Sequence, residues 1–154
     1  AAPHLRLRIA GSPSDATVER EVRGRAASDP RVVLDLRHLS EAEFADAVLE
    51  CAGVVLPYRS MHNSGAVLAA LSLGRPVLVP RNEITEALAA EVGLGWIELF
   101  DAPLDGGRLQ SFAEVAAQRP PTPPELSARE WTGAGAAHRS AFERAIAIRR
   151  GSRA

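Results

Sequence analysis

The sequence has no lysine; all 18 of its basic side chains are arginine. That removes the phosphate-loop signature ending in Gly-Lys-Ser/Thr. One cysteine in 154 residues leaves neither an internal disulfide nor a cysteine-rich zinc site. A single thiol fits a reducing compartment. No apolar run reaches the roughly 18 residues that span a membrane, and the N-terminus lacks the basic, apolar and cleavage-site order of a signal peptide. Charge of one sign is not in excess either: 18 basic and 19 acidic residues give a net charge of −1 and a pI near 6.5. This argues against a broad basic surface for nucleic acid and leaves room for a local basic pocket. The four histidines show no metal-ligand spacing. No strand runs into Gly-x-Gly-x-x-Gly, since Gly93-x-Gly95 precedes a strand, and Gly-x-Ser-x-Gly is missing.

What is present reads as one globular domain, with 46% hydrophobic and 24% charged residues. Leu5–Ala10 alternates apolar residues with arginine and stops at Gly11-Ser12-Pro13, as a strand before a turn does. Ser14 or Asp15 caps a helix to about Ala27, which Asp29-Pro30 closes off. Arg31–Leu36 is a second strand. Ser40 and Glu43 form a capping box before a helix bearing Phe44, Ala47, Val48 and Cys51. Cys51 is read there as a small core residue. Gly53–Pro57 is a short apolar run expected to be a strand buried on both faces.

A polar loop at Tyr58–Asn63 then leads into Ser64–Leu73, an Ala/Leu-rich buried helix capped by Gly74. Arg75–Pro80 is a buried strand, Glu83–Glu91 a short helix ended by Gly93, Gly95–Leu99 a strand, and Arg108–Ala117 a helix. Arg119–Pro124 is a stiff proline-rich connector. From Glu125 to about Arg150, Trp131, Ala134, His138, Phe142 and Ile146 recur at helical spacing, giving an amphipathic helix. The alternation of strands and helices predicts an α/β, Rossmann-like three-layer domain, its parallel sheet flanked by helices, with a long C-terminal helix. Residues 1–118 form the core, and residues 119–154 the connector and a helix packing back on it.

In such sheets ligands sit at the carboxyl ends of the strands. Those ends are Gly11–Ser14, Arg37–Ser40, Tyr58–Gly65 and Arg81–Glu86. The third is the most informative. It joins a buried strand to a buried helix, whose first turn offers free N–H groups and partial positive charge to a phosphate. Gly65 lets a phosphate approach the backbone, Ser64 adds a hydroxyl, and Arg59 a charge-assisted donor. Equally, Asn63 or Ser64 does no more than cap the helix, with Arg59 a solvated loop charge. His62 suits ligand contact or proton transfer near neutral pH. Glu83 and Glu86 suit sugar hydroxyls, or simply the dipole of the helix they open. Arg37 and His38, which end the second strand, suit a base pocket, and Gly11-Ser12-Pro13 suits a ligand loop or an ordinary turn.

In order and motif the chain resembles the C-terminal, donor-binding domain of glycosyltransferases built from two facing Rossmann-like domains, the GT-B architecture. The residues that carry this are His4–Pro13, Asp29–Leu36 with Ser40–Ala47, Val54-Val-Leu-Pro-Tyr58, Asn63-Ser-Gly-Ala66, Leu73-Gly-Arg-Pro-Val77, Arg129-Glu-Trp131 and Ala137-His138. The closest likeness is to a divergent bacterial, group 1-like branch that makes cell-surface polysaccharide or glycoconjugate.

The resemblance implies transfer of a sugar from a nucleotide-diphosphate sugar to an acceptor, with no metal or other cofactor. It puts the donor pyrophosphate at Arg59, Asn63, Ser64 and Gly65, the sugar or ribose at His62 and Glu83, and the base or its loop at Gly11, Ser12, Arg37 and His38. It assigns no catalytic residue. Many retaining members carry two glutamates with seven residues between them; aligned on Gly74-Arg-Pro-Val, those places hold Met61 and Ala69, so a retaining mechanism does not carry over. The family's first strand and helix, which bear a basic diphosphate clamp, are not in this sequence, nor is the acceptor domain. With no initiator Met, the chain reads as an N-terminally truncated piece, inactive alone, whose partners are the donor and the missing N-terminal acceptor domain rather than nucleic acid. The implied location is cytoplasmic, with peripheral attachment of the parent to the inner face of a membrane left open. A nucleotide-sugar epimerase and a non-catalytic Rossmann-like binding module are the alternatives.

Overall fold

A computed structural model describes residues 5–58, 65–101, 103–118, 120 and 122–129. In chain order they form β1 (Leu7–Ala10), α1 (Ala16–Ala26), β2 (Val32–Asp35), α2 (Glu41–Leu49), β3 (Val54–Val55), α3 (Gly65–Ser72), β4 (Val77–Pro80), α4 (Glu83–Val92), β5 (Ile97–Phe100), α5 (Gly106–Gln118) and a 3-10 turn at Ser127–Arg129. The α/β alternation read from the sequence is the one observed.

Side chains set the helix boundaries. The Asp15 carboxylate accepts from the amides of Thr17 and Val18 at 2.8 and 2.9 Å and opens α1. Ser40 and Glu43 cap each other's backbone at the start of α2, the expected box. A second box, Asn82 with Thr85, opens α4. Gly74, at φ 67°, closes α3: its amide bonds Leu71 O and that of Arg75 bonds Ala70 O, both at 2.9 Å, which is a Schellman motif.

All observed strand pairs are parallel, in two ladders. β1 pairs with β2, Leu7 opposite Val32. β4 lies between β3 and β5, with Val54 opposite Val77 and Val77 opposite Ile97. The core belongs to the second ladder. Val77, Leu78 and Val79 are fully buried, because β4 is covered on both sides. Val77 and Val79 pack with Val67, Ala70 and Leu71 of α3, Leu88 and Val92 of α4, and Trp96. Leu78 and Phe100 pack with Phe112 and Ala116 of α5 on the other face. Helix, sheet and helix are thus stacked as three layers around β4.

Some local readings change. β3 is short and its valines are only half-buried. Cys51 lies past the end of α2, half-buried, its sulfur 3.1 Å from the Val48 carbonyl; burial pushes its thiol pKa up. The proline-rich connector returns to the core: Trp96 Nε1 donates to Thr122 O at 2.9 Å, the Glu125 amide to Val92 O at 3.0 Å, and Arg129 pairs with Glu91 at 2.7 Å. Beyond Arg129 the long amphipathic helix lies outside the described residues.

Candidate functional site

The carboxyl ends of the strands lead into Gly11, Leu36, Leu56-Pro57, Arg81 and Asp101. At the first of these Gly11 takes φ 125°, a backbone region other residues rarely enter, and its amide donates to Asp35 O at 3.1 Å. The Arg37 amide donates to the same carbonyl at 3.0 Å. The Asp35 carboxylate pairs with Arg8 and with Arg37, each at 3.0 Å. Asp35 therefore brings together two predicted groups, Gly11-Ser12 and Arg37-His38, at one rim. Sequence reasoning missed Asp35 and Arg8. The signal was a lone carboxylate in the apolar run Arg31–Leu36, diagonally across from an arginine in the neighbouring strand.

Arg37 is shared between two acids, since its guanidinium also pairs with Glu43 at 2.8 Å. That hydrogen bond, with those from the amide and hydroxyl of Ser40, holds the Glu43 carboxyl down at about 2. Ser12 and His38 are exposed beside this cluster. Arg81 follows the same plan at the ends of β4 and β5, with Glu86 at 3.0 Å and Asp101 at 3.1 Å. Such exposed pairs add little stability, but they fix where each guanidinium sits.

Glu83 is exposed in the first turn of α4, on a different strand end from Arg37. Gly65 is the exposed first residue of α3, and no described atom lies within 4 Å of a Cβ built on it. Ala69 is half-buried within α3. Arg59, Met61, His62, Asn63 and Ser64 lie outside the described residues. Among the described residues no three His, Cys, Asp or Glu side chains gather closely enough to hold a metal ion, and no helix is long and apolar enough to cross a membrane.

No family model matches the chain. Over 145 residues, 94% of its length, it is 39% identical to the GDP-mannose:glycolipid 4-beta-D-mannosyltransferase of Xanthomonas campestris pv. campestris, both in strain ATCC 33913 and in a second sequence from that pathovar. Its fold matches AviGT4, a glycosyltransferase involved in avilamycin A biosynthesis, with a TM-score of 0.61 and 17% identity over 90% of the chain. The chain is similar in sequence to that mannosyltransferase and shares its fold with AviGT4. It spans 42% of the length of each of these relatives. Its helix-covered parallel strands and the Gly74-Arg75-Pro76-Val77 turn from α3 into β4 are the GT-B features that the sequence led us to expect.

Proposed function

We propose that this chain is the donor-binding half of a glycosyltransferase that moves a sugar from a nucleotide-diphosphate sugar to an acceptor in cell-surface glycoconjugate synthesis. The observation that carries the reading is the 39% identity extending over 94% of the chain to a mannosyltransferase named for GDP-mannose and a glycolipid. By that likeness the donor is GDP-mannose and the acceptor a glycolipid.

In the transfer, the bond from the anomeric carbon to the diphosphate oxygen breaks. A bond from the acceptor hydroxyl oxygen forms, and that hydroxyl loses its proton. Negative charge grows on the departing diphosphate. The start of α3 would meet it with free amide groups and the positive end of the helix dipole. Arg59, Asn63, Ser64 and Gly65 are our candidates for that contact. Stabilising the leaving group there lowers the barrier to bond cleavage. His62 and Glu83 are assigned to sugar or ribose hydroxyls, and Gly11, Ser12, Arg37 and His38 to the base and its loop. The reading needs no metal, because amides and arginine supply the positive field. The acceptor and the group that takes its proton are assigned to sequence outside these 154 residues, so this polypeptide by itself should not turn over.

The test is calorimetric titration of the full-length gene product with GDP, UDP and dTDP. GDP should bind most tightly. Arg59→Ala should weaken it about 10- to 150-fold, the range for losing one charge-assisted hydrogen bond. Gly65→Val should block phosphate approach without unfolding α3, since no described atom lies within 4 Å of a Cβ there. Equal binding of GDP by wild type and both variants would refute the placement.

A further inference from the structure

Five charged side chains beside the first ladder form a series that alternates in sign, Glu50–Arg8–Asp35–Arg37–Glu43. The Arg8 guanidinium lies 3.0 Å from Glu50 and 3.0 Å from one carboxylate oxygen of Asp35. Asp35 gives its other oxygen to Arg37 at 3.0 Å, and Arg37 reaches Glu43 at 2.8 Å. Both ends of the series stand on α2, because Glu43 lies in its first turn and Glu50 is its C-cap. Asp35 is the middle member. It is also the best covered of them, its side chain 21% exposed against 40% for Arg8 and 52% for Arg37.

Asp35 holds the backbone at the same place. Its carbonyl accepts the Gly11 amide at 3.1 Å, one step past the end of β1, and the Arg37 amide at 3.0 Å. The second bond closes a tight three-residue turn centred on Leu36, which ends the strand. One residue therefore fixes the backbone at Gly11, the backbone at Arg37 and the Arg37 side chain. That guanidinium is caught between a carboxylate of β2 and one of α2, and it donates to the His38 carbonyl at 3.3 Å. About half of the Arg37 side chain is still exposed, as a group that meets a ligand must be. Exposed ion pairs of this kind add little stability. What the series achieves is to hold one side chain still.

We propose that Asp35 is a positioning residue for the base of a nucleoside diphosphate, acting through Arg37. The proposal rests on the assignment of Arg37 to the base made above, and Asp35 acts at one remove from the ligand. A long arginine side chain that samples its rotamers freely loses conformational entropy when it binds. Asp35 and Glu43 impose that loss at folding, so Arg37 meets the base already aimed. Arg8, itself tied to Glu50, does the same for Asp35. A carboxylate is needed here rather than any polar group. It gives one oxygen to each arginine, whereas an amide has a single acceptor oxygen and can serve only one of them.

The experiment is calorimetric titration of the full-length gene product with GDP and with ribose 5-diphosphate, the same ligand without its base. The ratio of the two dissociation constants isolates the base. Wild type should prefer GDP. Asp35→Asn should cut that preference about 2- to 13-fold, the effect of having to order one long side chain on binding, and should leave the affinity for ribose 5-diphosphate unchanged. Arg37→Met should cut the preference at least as far. Adding Asp35→Asn to Arg37→Met should then change nothing more, since Asp35 has no guanidinium left to aim at the base. A wild type that binds both ligands equally would overturn the proposal together with the base assignment. A preference that survives in Asp35→Asn would overturn the proposal alone and leave Arg37 at the base. An equal loss for both ligands, or losses that add in the double variant, would also overturn it, because Asp35 would then support the rim without aiming Arg37.

Discussion

Gly53 lies directly against the ring of Phe112. A Cβ placed at residue 53 would come within 2.7 Å of Phe112 Cζ and 2.9 Å of Ala116 Cβ. The contact pins α5 to the segment entering β3, and Phe112 and Ala116 have no room to yield, being buried against Leu78 and Phe100.

Gly53→Ala should therefore destabilise the domain. Overpacking of this kind costs about 1–3 kcal/mol. Urea unfolding followed by circular dichroism reads the change. Gly24→Ala is the contrast: Gly24 lies within α1, no described atom lies within 4 Å of its Cβ position, and alanine favours helix, so that variant should be neutral or slightly stabilising. A neutral Gly53→Ala would show that α5 is not held as closely as described.

Arg75 is buried yet pairs with no carboxylate among the described residues. Its guanidinium donates to the carbonyls of Val48 at 3.2 Å, Leu49 at 2.5 Å and Gly74 at 3.3 Å. Val48 and Leu49 end α2, where carbonyls lack helical partners and the dipole is negative. The arginine of the Gly-Arg-Pro-Val motif is thus a brace between α2 and β4. Arg75→Met should cost about 1.5–3 kcal/mol, the range for hydrogen bonds to a charged group, and Arg75→Lys should recover only part, since one ammonium cannot reproduce the planar fork. Thermal melts of the two variants against wild type decide it; equal stability of all three would remove the brace.

These cases show what a sequence makes legible. Alternating patterns and caps exposed the order of elements, because Ser40 with Glu43, Gly74 and Gly93 act within one helical turn. Parallel pairing followed from short apolar strands joined by helices. The distribution of strands between two ladders did not, since it depends on long-range contacts such as Arg8 with Glu50. At the candidate site, Gly11, Ser12, Arg37 and His38 could be named from their places at strand ends. That Asp35 ties them together could not, because one of its partners, Arg8, lies 27 residues away in the neighbouring strand β1. The role of Arg75 was hidden for the same reason: its acceptors lie 26 and 27 residues away.

Trp96 joins the connector to the core. Its indole N–H donates to Thr122 O at 2.9 Å while the ring is buried among Val92 and its neighbours. Trp96→Phe keeps most of the apolar contact and removes the donor. The expected loss is about 0.5–1.5 kcal/mol from the hydrogen bond, plus a packing term for the smaller ring. Proteolysis at residues 119–124 should quicken in that variant as the connector loosens. Unchanged cleavage there would mean that the Glu125 amide and Leu126 hold the connector without the indole.

The acid limb of stability should report Arg37. Its guanidinium, followed by the Ser40 amide and hydroxyl, lowers the Glu43 carboxyl from 4.5 to about 2. A depressed pKa favours the folded state wherever the carboxylate is ionised in both forms. The contribution is therefore complete above about 4.5 and fades as the pH falls toward about 2. Asp29, held at about 2 chiefly by the Arg31 side chain and then by its amide, fades in the same window. Glu43→Gln keeps the capping box, since glutamine also bonds the Ser40 amide, and removes only the charge. Its melting temperature should fall less steeply than that of wild type between pH 5 and pH 2, and Glu43→Gln with Asp29→Asn should be flatter still. Salt should weaken the wild-type slope, because the Arg37–Glu43 pair is exposed and the Arg31–Asp29 pair only half-buried. Identical slopes for wild type and Glu43→Gln would mean that Arg37 spends its charge on Asp35 instead, leaving Glu43 as a cap alone.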